Sequence, residues 1–275
     1  MPPPSMVPPL SWPSTSVWRT LVALAVRLLG PAPTHMALIM DGNRRYASER
    51  GMGAEDGHRR GFAKLLEALQ WCRDLDVRVL TVFAFSTENF RRTPAEVEAL
   101  MAMAAEKLAQ LATDPRLHAR EVRVRVLGEL HLLPPAVRLA ADKVMRATEQ
   151  YRRHTLNVAL AYTSREELWR AARCAATEAK ARWSPDAACV EEAPDGVARW
   201  LYTAPDPPVD LLVRTSGEQR LSDFLVHQVG DAALVFVDAL WPALTFWHLL
   251  AAVVRWQSFV AASASLAATS RRRVL

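Results

Sequence analysis

The chain has 275 residues, of which 51% are hydrophobic and 23% charged, a balance that is ordinary for a soluble globular protein with a sizeable core. Its net charge of +5 comes almost entirely from arginine, since the sequence holds only four lysines. Arginine suits bidentate binding of phosphate, although a biased genome composition would give the same excess. The three cysteines are widely spaced, which argues against a disulfide framework or a zinc site and favours a reducing compartment.

The first 30 residues divide into two segments. Residues 1–16 are rich in proline and are predicted to be disordered. Residues 17–30 contain an apolar helix that is too short to span a bilayer, which needs about 20 apolar residues. This helix either packs on the folded domain or lies on a membrane surface, and the sequence leaves both possibilities open.

Residues 31–260 are predicted to form one α/β domain, a single mostly parallel six-stranded sheet flanked by helices, because strand-like and helix-like segments alternate along the chain. The predicted strands are Met36–Met40, Val77–Phe85, Val122–Leu127, Leu156–Tyr162, Val209–Val213 and Ala233–Val237. The predicted helices lie near 57–74, 94–112, 134–152, 164–182 and 243–260. Residues 183–208 contain five prolines and are predicted to be irregular. Residues 261–275 are predicted to be a flexible basic tail.

Polar residues follow three of the predicted strands. The first strand is followed by Asp41, Gly42, Asn43, Arg44 and Arg45, the second by Ser86, Asn89 and Arg92, and the fifth by Arg214, Arg220 and Ser222. Each of these motifs alone is typical of an ordinary turn or a capped loop. Ligands of such sheets bind beyond the carboxyl ends of the strands. Together the motifs therefore predict a site for at least two phosphate-bearing groups.

The kind of phosphate chemistry is narrowed by what the sequence lacks. It contains neither the GxxxxGK[ST] motif of P-loop proteins nor the GxGxxG motif of dinucleotide-binding folds. The carboxylate of Asp41 is suited to holding Mg²⁺ against a diphosphate. A metal-bound diphosphate beside several arginines is a good leaving group.

Five collinear segments resemble the cis-prenyltransferase family, and most closely its eukaryotic dehydrodolichyl diphosphate synthase type. They are HMALIMDGNRRYA, TVFAFSTENFRRTPAEVEALM, VLGELHLLP, LNVALAYTSREE and DLLVRTSGEQRLSDFLVHQ…LVFVDALWPALTFWHLL. The resemblance extends over roughly residues 35–257. It implies an enzyme that condenses isopentenyl diphosphate with an allylic diphosphate, usually farnesyl diphosphate, in the presence of Mg²⁺. The product would be a long-chain polyprenyl diphosphate for dolichol synthesis and protein glycosylation.

The resemblance also implies a role for each site residue. Asp41 would hold Mg²⁺ and act in catalysis with Asn89 and Ser86, which lie where the family assists proton loss. The allylic diphosphate would be bound by Asp41, Gly42, Asn43, Arg44, Arg45, His58 and Arg92. Isopentenyl diphosphate would be bound by Arg45, Arg92, Arg214, Arg220 and Ser222.

The growing hydrocarbon chain needs an apolar cleft, and two predicted helices carry apolar stripes. The candidate lining residues are Phe62, Leu65, Leu66, Leu69, Val97, Leu100, Met101, Met103 and Leu108. Stripes of this kind are also typical of ordinary core packing, so periodicity alone does not show whether these residues line a cleft or belong to the core.

Three departures from the family pattern concern a metal ligand, a diphosphate contact and the partner subunit. Ala233 stands where bacterial relatives have a metal-binding glutamate, and Ala54 where many relatives have an arginine. The sequence after Trp256 lacks the arginine-x-glycine motif of homodimeric relatives. The resemblance therefore implies a second, Nogo-B receptor-like subunit that supplies this motif, and a peripheral location on the cytosolic face of the endoplasmic reticulum membrane.

Two other functions compete with the enzyme. One is a non-catalytic scaffold subunit of the same superfamily, which the retained Asp41, Asn43 and Arg214 disfavour. The other is a phosphoester-binding or nucleic-acid module that uses the basic rim. Nucleic acid is not expected as a partner, because the arginines cluster at strand ends without clear aromatic interleaving.

Overall fold

A computed structural model gives the structure of residues 17–182 and 196–273. Six strands form one sheet in the order β3-β4-β2-β1-β5-β6, and every neighbouring pair is parallel. The strands are β1 His35–Ile39, β2 Val79–Ser86, β3 Val122–Leu127, β4 His154–Tyr162, β5 Leu211–Arg214 and β6 Ala233–Phe236. The short apolar runs of the sequence form these strands because helices cover both faces of the sheet. The predicted fold class is confirmed.

Eight helices surround the sheet in the part of the chain that the structure describes. They are α1 Val17–Leu29, α2 Asn43–Ser48, α3 Ala54–Asp74, α4 Pro94–Thr113, α5 Pro115–Ala119, α6 Pro135–Thr148, α7 Ser164–Arg182 and α8 Phe246–Arg273. The predicted helices all occur, but α2 and α5 were missed. The prediction of a tail from residue 261 also differs from the structure, since α8 continues to Arg273.

The N-terminal helix α1 packs on the folded domain. Ala23 and Val26 are buried, and Trp18 stacks on Trp247 of α8 with ring centroids 5.5 Å apart. An ion pair joins Arg27 of α1 to Asp76 at 3.1 Å. The same helix leaves a stripe of large apolar side chains exposed, so packing on the domain and lying on a membrane are compatible for this helix.

No helix within residues 17–182 and 196–273 is long and apolar enough to cross a membrane. The proline-rich residues 1–16 lie outside the described residues, as does most of the segment predicted to be irregular. Its described end, residues 196–208, holds a short 3₁₀ turn and otherwise no helix or strand.

The strand order brings the three predicted polar loops together. β1 pairs with β2 on one side and with β5 on the other, and Ile39 at the end of β1 lies opposite both Phe83 and Arg214. β2 follows β1 along the chain on one side, whereas β5 follows β4 and is added on the other side. The strand order thus reverses beside β1, and sheets of this kind bind ligands in the crevice at the carboxyl ends of the strands there.

Candidate active site

The centre of the site is an ion pair between Asp41 and Arg214. Nη2 of Arg214 donates to Oδ2 of Asp41 at 2.8 Å. Thr215 holds the two strand ends together, since its hydroxyl donates to the Asp41 carbonyl at 2.7 Å and accepts from the Asp41 N–H at 2.9 Å. Arg214 is only 3% exposed, whereas a third of the Asp41 side chain stays accessible. Asp41 can therefore meet a ligand while Arg214 holds it in place.

Burial alone would raise the pKa of Asp41, because a carboxylate loses hydration. The hydrogen bond and the charge of Arg214, together with Ser216 and the Gly42 N–H, outweigh burial and hold the pKa of Asp41 below its ordinary value of 3.8. Asp41 is consequently ionised at neutral pH and available to a cation.

Gly42 allows the chain to turn from β1 into α2. Its φ of 105° lies in the left-handed region, and a Cβ here would lie 3.1 Å from Cα of Leu240. The next residue along that loop, Trp241, donates its backbone N–H to the Asp41 carbonyl at 2.9 Å. Its indole N–H donates to the Gly61 carbonyl at 2.8 Å, which ties the Asp41 turn to α3.

Asn43, the first residue of α2, is packed against α3. Its Nδ2 donates to the Met40 carbonyl at 3.2 Å, while its buried Oδ1 has no hydrogen-bond partner. A Cβ at Gly61 would lie 2.2 Å from that Oδ1, and a Cβ at Gly57 would lie 2.3 Å from the Asn43 carbonyl oxygen. Two glycines one helical turn apart thus let α3 approach this turn closely.

The loop after β2 brings Ser86 and Asn89 together. Ser86 caps the short turn Thr87–Arg91: its hydroxyl accepts from the N–H of Glu88 at 3.1 Å. Oδ1 of Asn89 accepts from the Ser86 N–H at 3.0 Å. Asn89 keeps its amide nitrogen as a donor and one lone pair on Oδ1.

Glu96 links the same loop to α2. Its carboxylate accepts from Nη1 of Arg92 at 2.8 Å, and Nη1 of Arg44 lies 3.8 Å away. His58 of α3 lies near these cations, and its buried Nε2 has no hydrogen-bond partner. Burial, then the charges of Arg92 and Arg44, lowers the pKa of His58 below 6.5, although Glu96 opposes the shift. His58 is therefore neutral at pH 7.

The loop after β5 supplies the remaining predicted residues. Nη1 of Arg214 donates to the Ser222 hydroxyl at 2.8 Å and also to the Arg220 carbonyl. Glu218 pairs with Arg220, and its other carboxylate oxygen lies 3.8 Å from Arg45. Arg45 also donates to the Ser216 carbonyl at 3.2 Å, so α2 and the loop after β5 are in contact.

All of these loops border one cavity of about 540 Å³. Its polar end holds every predicted site residue: Asp41, Gly42, Asn43, Arg44, Arg45, His58, Ser86, Asn89, Arg92, Arg214, Arg220 and Ser222. Its apolar part runs between the sheet and the helices α3 and α4. Lys107 also lines it, with its ammonium hydrogen-bonded to Glu106 at 2.9 Å and to Gln110 at 3.1 Å.

Most of the predicted cleft residues border this cavity: Phe62, Leu65, Leu100, Met101, Met103 and Leu108. Leu66, Leu69 and Val97 do not line it; like several of the lining residues, they pack in or against the hydrophobic core. The sequence missed Glu96, Glu218, Thr215 and Trp241. Of these four, only the two glutamates could have been found from the sequence, since each lies close in sequence to an arginine with which it forms an ion pair.

Ala233 lies at the amino end of β6 and opposite Leu211, whereas the cavity lies at the carboxyl ends. Ala54, the first residue of α3, is exposed. Within the described residues no group of three or more histidine, cysteine or acidic side chains could hold a metal. Asp41 and Glu88 are the carboxylates lining the described cavity. A cation at Asp41 would thus take further ligands from a phosphate, as Mg²⁺ commonly does.

The family follows from a comparison with known proteins. The prenyltransferase family profile described as putative undecaprenyl diphosphate synthase matches residues 39–261. The chain belongs to the cis-prenyltransferase family. It is 41% identical over 248 residues to the human dehydrodolichyl diphosphate synthase complex subunit DHDDS. The matched segment covers 88% of this chain and 72% of the human one.

An archaeal relative is similarly close. The geranylgeranyl-diphosphate-specific tritrans,polycis-undecaprenyl-diphosphate synthase of Methanopyrus kandleri is 43% identical over 230 residues, 83% of each chain. Among solved structures, lavandulyl diphosphate synthase from Lavandula x intermedia, in complex with dimethylallyl diphosphate, superimposes with a TM-score of 0.74 at 28% identity. The match covers 82% of this chain and 95% of the lavender enzyme. This cis-prenyltransferase is therefore an enzyme whose fold is that of its family.

Proposed function

We propose that this cis-prenyltransferase elongates an allylic diphosphate, farnesyl diphosphate in the first instance, with isopentenyl diphosphate to make long-chain polyprenyl diphosphate for dolichol synthesis. One observation carries the proposal: a single cavity joins a cluster of arginines to an apolar interior. Such a cavity suits a substrate with a diphosphate at one end and a hydrocarbon chain at the other.

The arginines have a chemical role when the allylic diphosphate departs. Ionisation of the allylic carbon–oxygen bond concentrates negative charge on the diphosphate oxygens, and cations that are already in position stabilise that change. Arg44, Arg45 and Arg92 would bind this diphosphate together with the turn at Gly42 and Asn43. The neutral His58 would donate a hydrogen bond to it.

Mg²⁺ fits this site. Asp41 would hold the ion, which would neutralise charge on the allylic diphosphate when bound. The ionised state of Asp41 and the accessible third of its side chain support the assignment.

Isopentenyl diphosphate would bind at the loop after β5. Arg214, Arg220 and Ser222 would contact its diphosphate, with Arg45 and Arg92 shared between the two subsites. Asn89, oriented by Ser86, would lie close to the carbon that loses a proton after the new carbon–carbon bond forms. Its free lone pair and its amide donors would orient the group that accepts this proton.

A partner subunit and a membrane complete the proposal. The name of the human relative describes a subunit of a complex, which supports a Nogo-B receptor-like partner here. The exposed apolar stripe of α1 supports peripheral binding to a membrane surface. We place this membrane at the cytosolic face of the endoplasmic reticulum, where dolichol serves protein glycosylation.

A scaffold subunit is the competing function, and one assay separates the two. The purified chain, with and without a co-expressed Nogo-B receptor-like subunit, is incubated with radiolabelled isopentenyl diphosphate, farnesyl diphosphate and Mg²⁺. Label in long, organic-soluble products that disappears in Arg214→Ala supports the enzyme. If the partner incorporates as much label with the Arg214→Ala chain as with the wild-type chain, this chain is a scaffold.

A further inference from the structure

The loop that follows β5 adopts an unfavourable backbone conformation. Ser222, Asp223 and Leu225 have φ values of 50°, 59° and 50°, and Ser216 has a φ of 80°. Residues other than glycine seldom adopt this left-handed region, because Cβ comes too close to the following carbonyl oxygen. A loop with several such residues persists only where its surroundings hold it.

The loop is held by the first two residues of α7. The carbonyl of Asp223 accepts from the Ser164 N–H at 2.8 Å, and its Oδ1 accepts from the Arg165 N–H at 3.2 Å. Oδ2 of Asp223 accepts from Nε of Arg165 at 3.0 Å. The Ser164 hydroxyl accepts from the N–H of Val226 at 2.8 Å. We call this set of contacts among Ser164, Arg165, Asp223 and Val226 the α7 clasp.

The clasp acts on the residue next to it. Ser222 precedes Asp223 directly, and its hydroxyl accepts from Arg214, which in turn binds Asp41. A displaced Asp223 would therefore move Ser222 away from Arg214.

Arg165 also reaches the other catalytic loop. Its Nη2 lies 3.6 Å from Oε1 of Glu88, which directly precedes Asn89. The hydroxyl of Thr87 donates to that of Thr163 at 3.4 Å, so the residues preceding α7 touch the same loop. The start of α7 thus contacts the loops that follow β2 and β5.

We infer that Arg165 and Asp223 are positioning residues: the α7 clasp fixes the isopentenyl diphosphate subsite and sets its place relative to Asn89. The inference rests on the proposed function, since it assigns the loop after β5 to isopentenyl diphosphate. Arg165 is mostly exposed, and exposed ion pairs contribute little to the free energy of folding. Its replacement should leave the fold intact, which lets the positioning effect be measured separately.

The first test measures steady-state kinetics of the chain co-expressed with a Nogo-B receptor-like subunit, and it separates the two substrates. Asp223→Ala should raise the KM for isopentenyl diphosphate about ten-fold, while kcat and the KM for farnesyl diphosphate stay within about two-fold. Asp223→Asn should recover part of the loss, because its amide oxygen can still accept from the Arg165 N–H. Arg165→Met should raise the same KM about three-fold, and Arg165→Lys should recover part of it. Arg146→Met removes an exposed ion pair of α6 as a control and should change neither KM.

The second test needs no turnover. Hydrogen–deuterium exchange of the free chain should become faster at Val226 in Asp223→Ala and Arg165→Met, and stay as in wild type in Arg146→Met. An isopentenyl diphosphate KM that stays unchanged, or a KM that rises equally for both substrates, would overturn the inference. Unchanged exchange at Val226 would overturn it as well. A wild-type chain that makes no polyprenyl product even when co-expressed with a Nogo-B receptor-like subunit would refute the proposed function, while the exchange measurement would still decide the clasp.

Discussion

Arg214 is the residue on which the site depends, because it is buried and binds Asp41, Ser222 and the Arg220 carbonyl at once. Asp41→Ala would abolish condensation and would also leave the Arg214 guanidinium buried without its carboxylate. Breaking a buried ion pair by removing one partner costs about 3 kcal/mol. We therefore expect the free energy of unfolding to fall by about that amount, as measured by urea denaturation.

Asp142→Ala provides the matched control. Asp142 pairs with Arg146 at 2.9 Å on the surface of α6, so its loss should change the free energy of unfolding by at most about 1 kcal/mol and leave turnover unchanged. Turnover at the wild-type rate in Asp41→Ala would show that Asp41 does not hold the metal.

His58 should make stability depend on pH. Its pKa in the folded protein lies below the ordinary 6.5, owing first to burial and then to Arg92 and Arg44. The unfolded chain therefore binds the proton more readily, so the contribution of His58 to stability is present above pH 6.5 and is lost as the pH falls below it. The loss of unfolding free energy between about pH 7.5 and about pH 5 should be smaller in His58→Gln than in wild type. An identical loss in both proteins would contradict the shift.

At the scale of the elements, the long periodic segments were predictable and the short ones were not. Each predicted strand overlaps an observed one, because apolar runs of that length bounded by polar residues are typical of buried parallel strands. Helix α2, of six residues, and α5, of five, are shorter than the window over which helical periodicity appears. Their residues therefore looked like turns. The prediction of a tail from residue 261 is wrong because the large apolar residues of α8 give way there to alanine, serine and arginine, although alanine favours a helix.

The apolar part of the cavity should limit the length of the product. Ala104 of α4 lines the cavity, whereas Ala102 on the same helix is exposed. Ala104→Phe would fill space that the growing chain needs and should shift the products to shorter chains. Ala102→Phe serves as the control and should leave the length distribution unchanged. The products are compared by thin-layer chromatography, and equal distributions from both variants would show that the chain grows elsewhere.

The exposed face of α1 should bind lipid. Val17, Leu21, Leu24 and Leu28 recur at helical spacing and are all exposed. The triple variant Leu21→Ser, Leu24→Ser and Leu28→Ser should lose most of its binding to phospholipid vesicles in a flotation assay. Its free energy of unfolding should change by no more than about 1 kcal/mol, since the three side chains are exposed.

Leu139→Ser on α6 removes an equally exposed leucine from another part of the molecule and should leave vesicle binding unchanged. Unimpaired binding of the triple variant would show that α1 serves only to cover the domain. Surface binding would also be contradicted if carbonate failed to extract the intact protein from membranes, since integral membrane proteins resist this extraction.

At the scale of the whole molecule, the sequence predicted which residues meet but not how they pair. Apart from His58 of α3, the predicted polar residues follow strands whose carboxyl ends share one edge, so their proximity follows from topology. The Asp41–Arg214 ion pair joins residues 173 positions apart, and periodicity carries no information about such a contact. Glu96 differs, because its carboxylate binds Arg92 four residues earlier, a local spacing that is visible in the sequence.

The exposed arginines at the rim of the site suggest what a partner subunit would do. The side chains of Arg44, Arg45 and Arg220 are at least half exposed, and water that competes for their charges weakens their hold on a diphosphate. A second subunit that covers this rim would exclude that water. We therefore expect the isolated chain to be weakly active or inactive, and to gain activity on co-expression with a Nogo-B receptor-like subunit.

The gain should depend on the end of the partner rather than on association alone. We propose that the arginine-x-glycine motif lies at the partner's C-terminus, so truncating its last few residues should remove the gain while the two subunits still co-purify. The KM for isopentenyl diphosphate should rise on this truncation, because the Arg220 side chain of its subsite is 62% exposed and would lose its cover. Full activity of the isolated chain, at a concentration where size-exclusion chromatography shows only homo-oligomers, would mean that this enzyme covers its own rim.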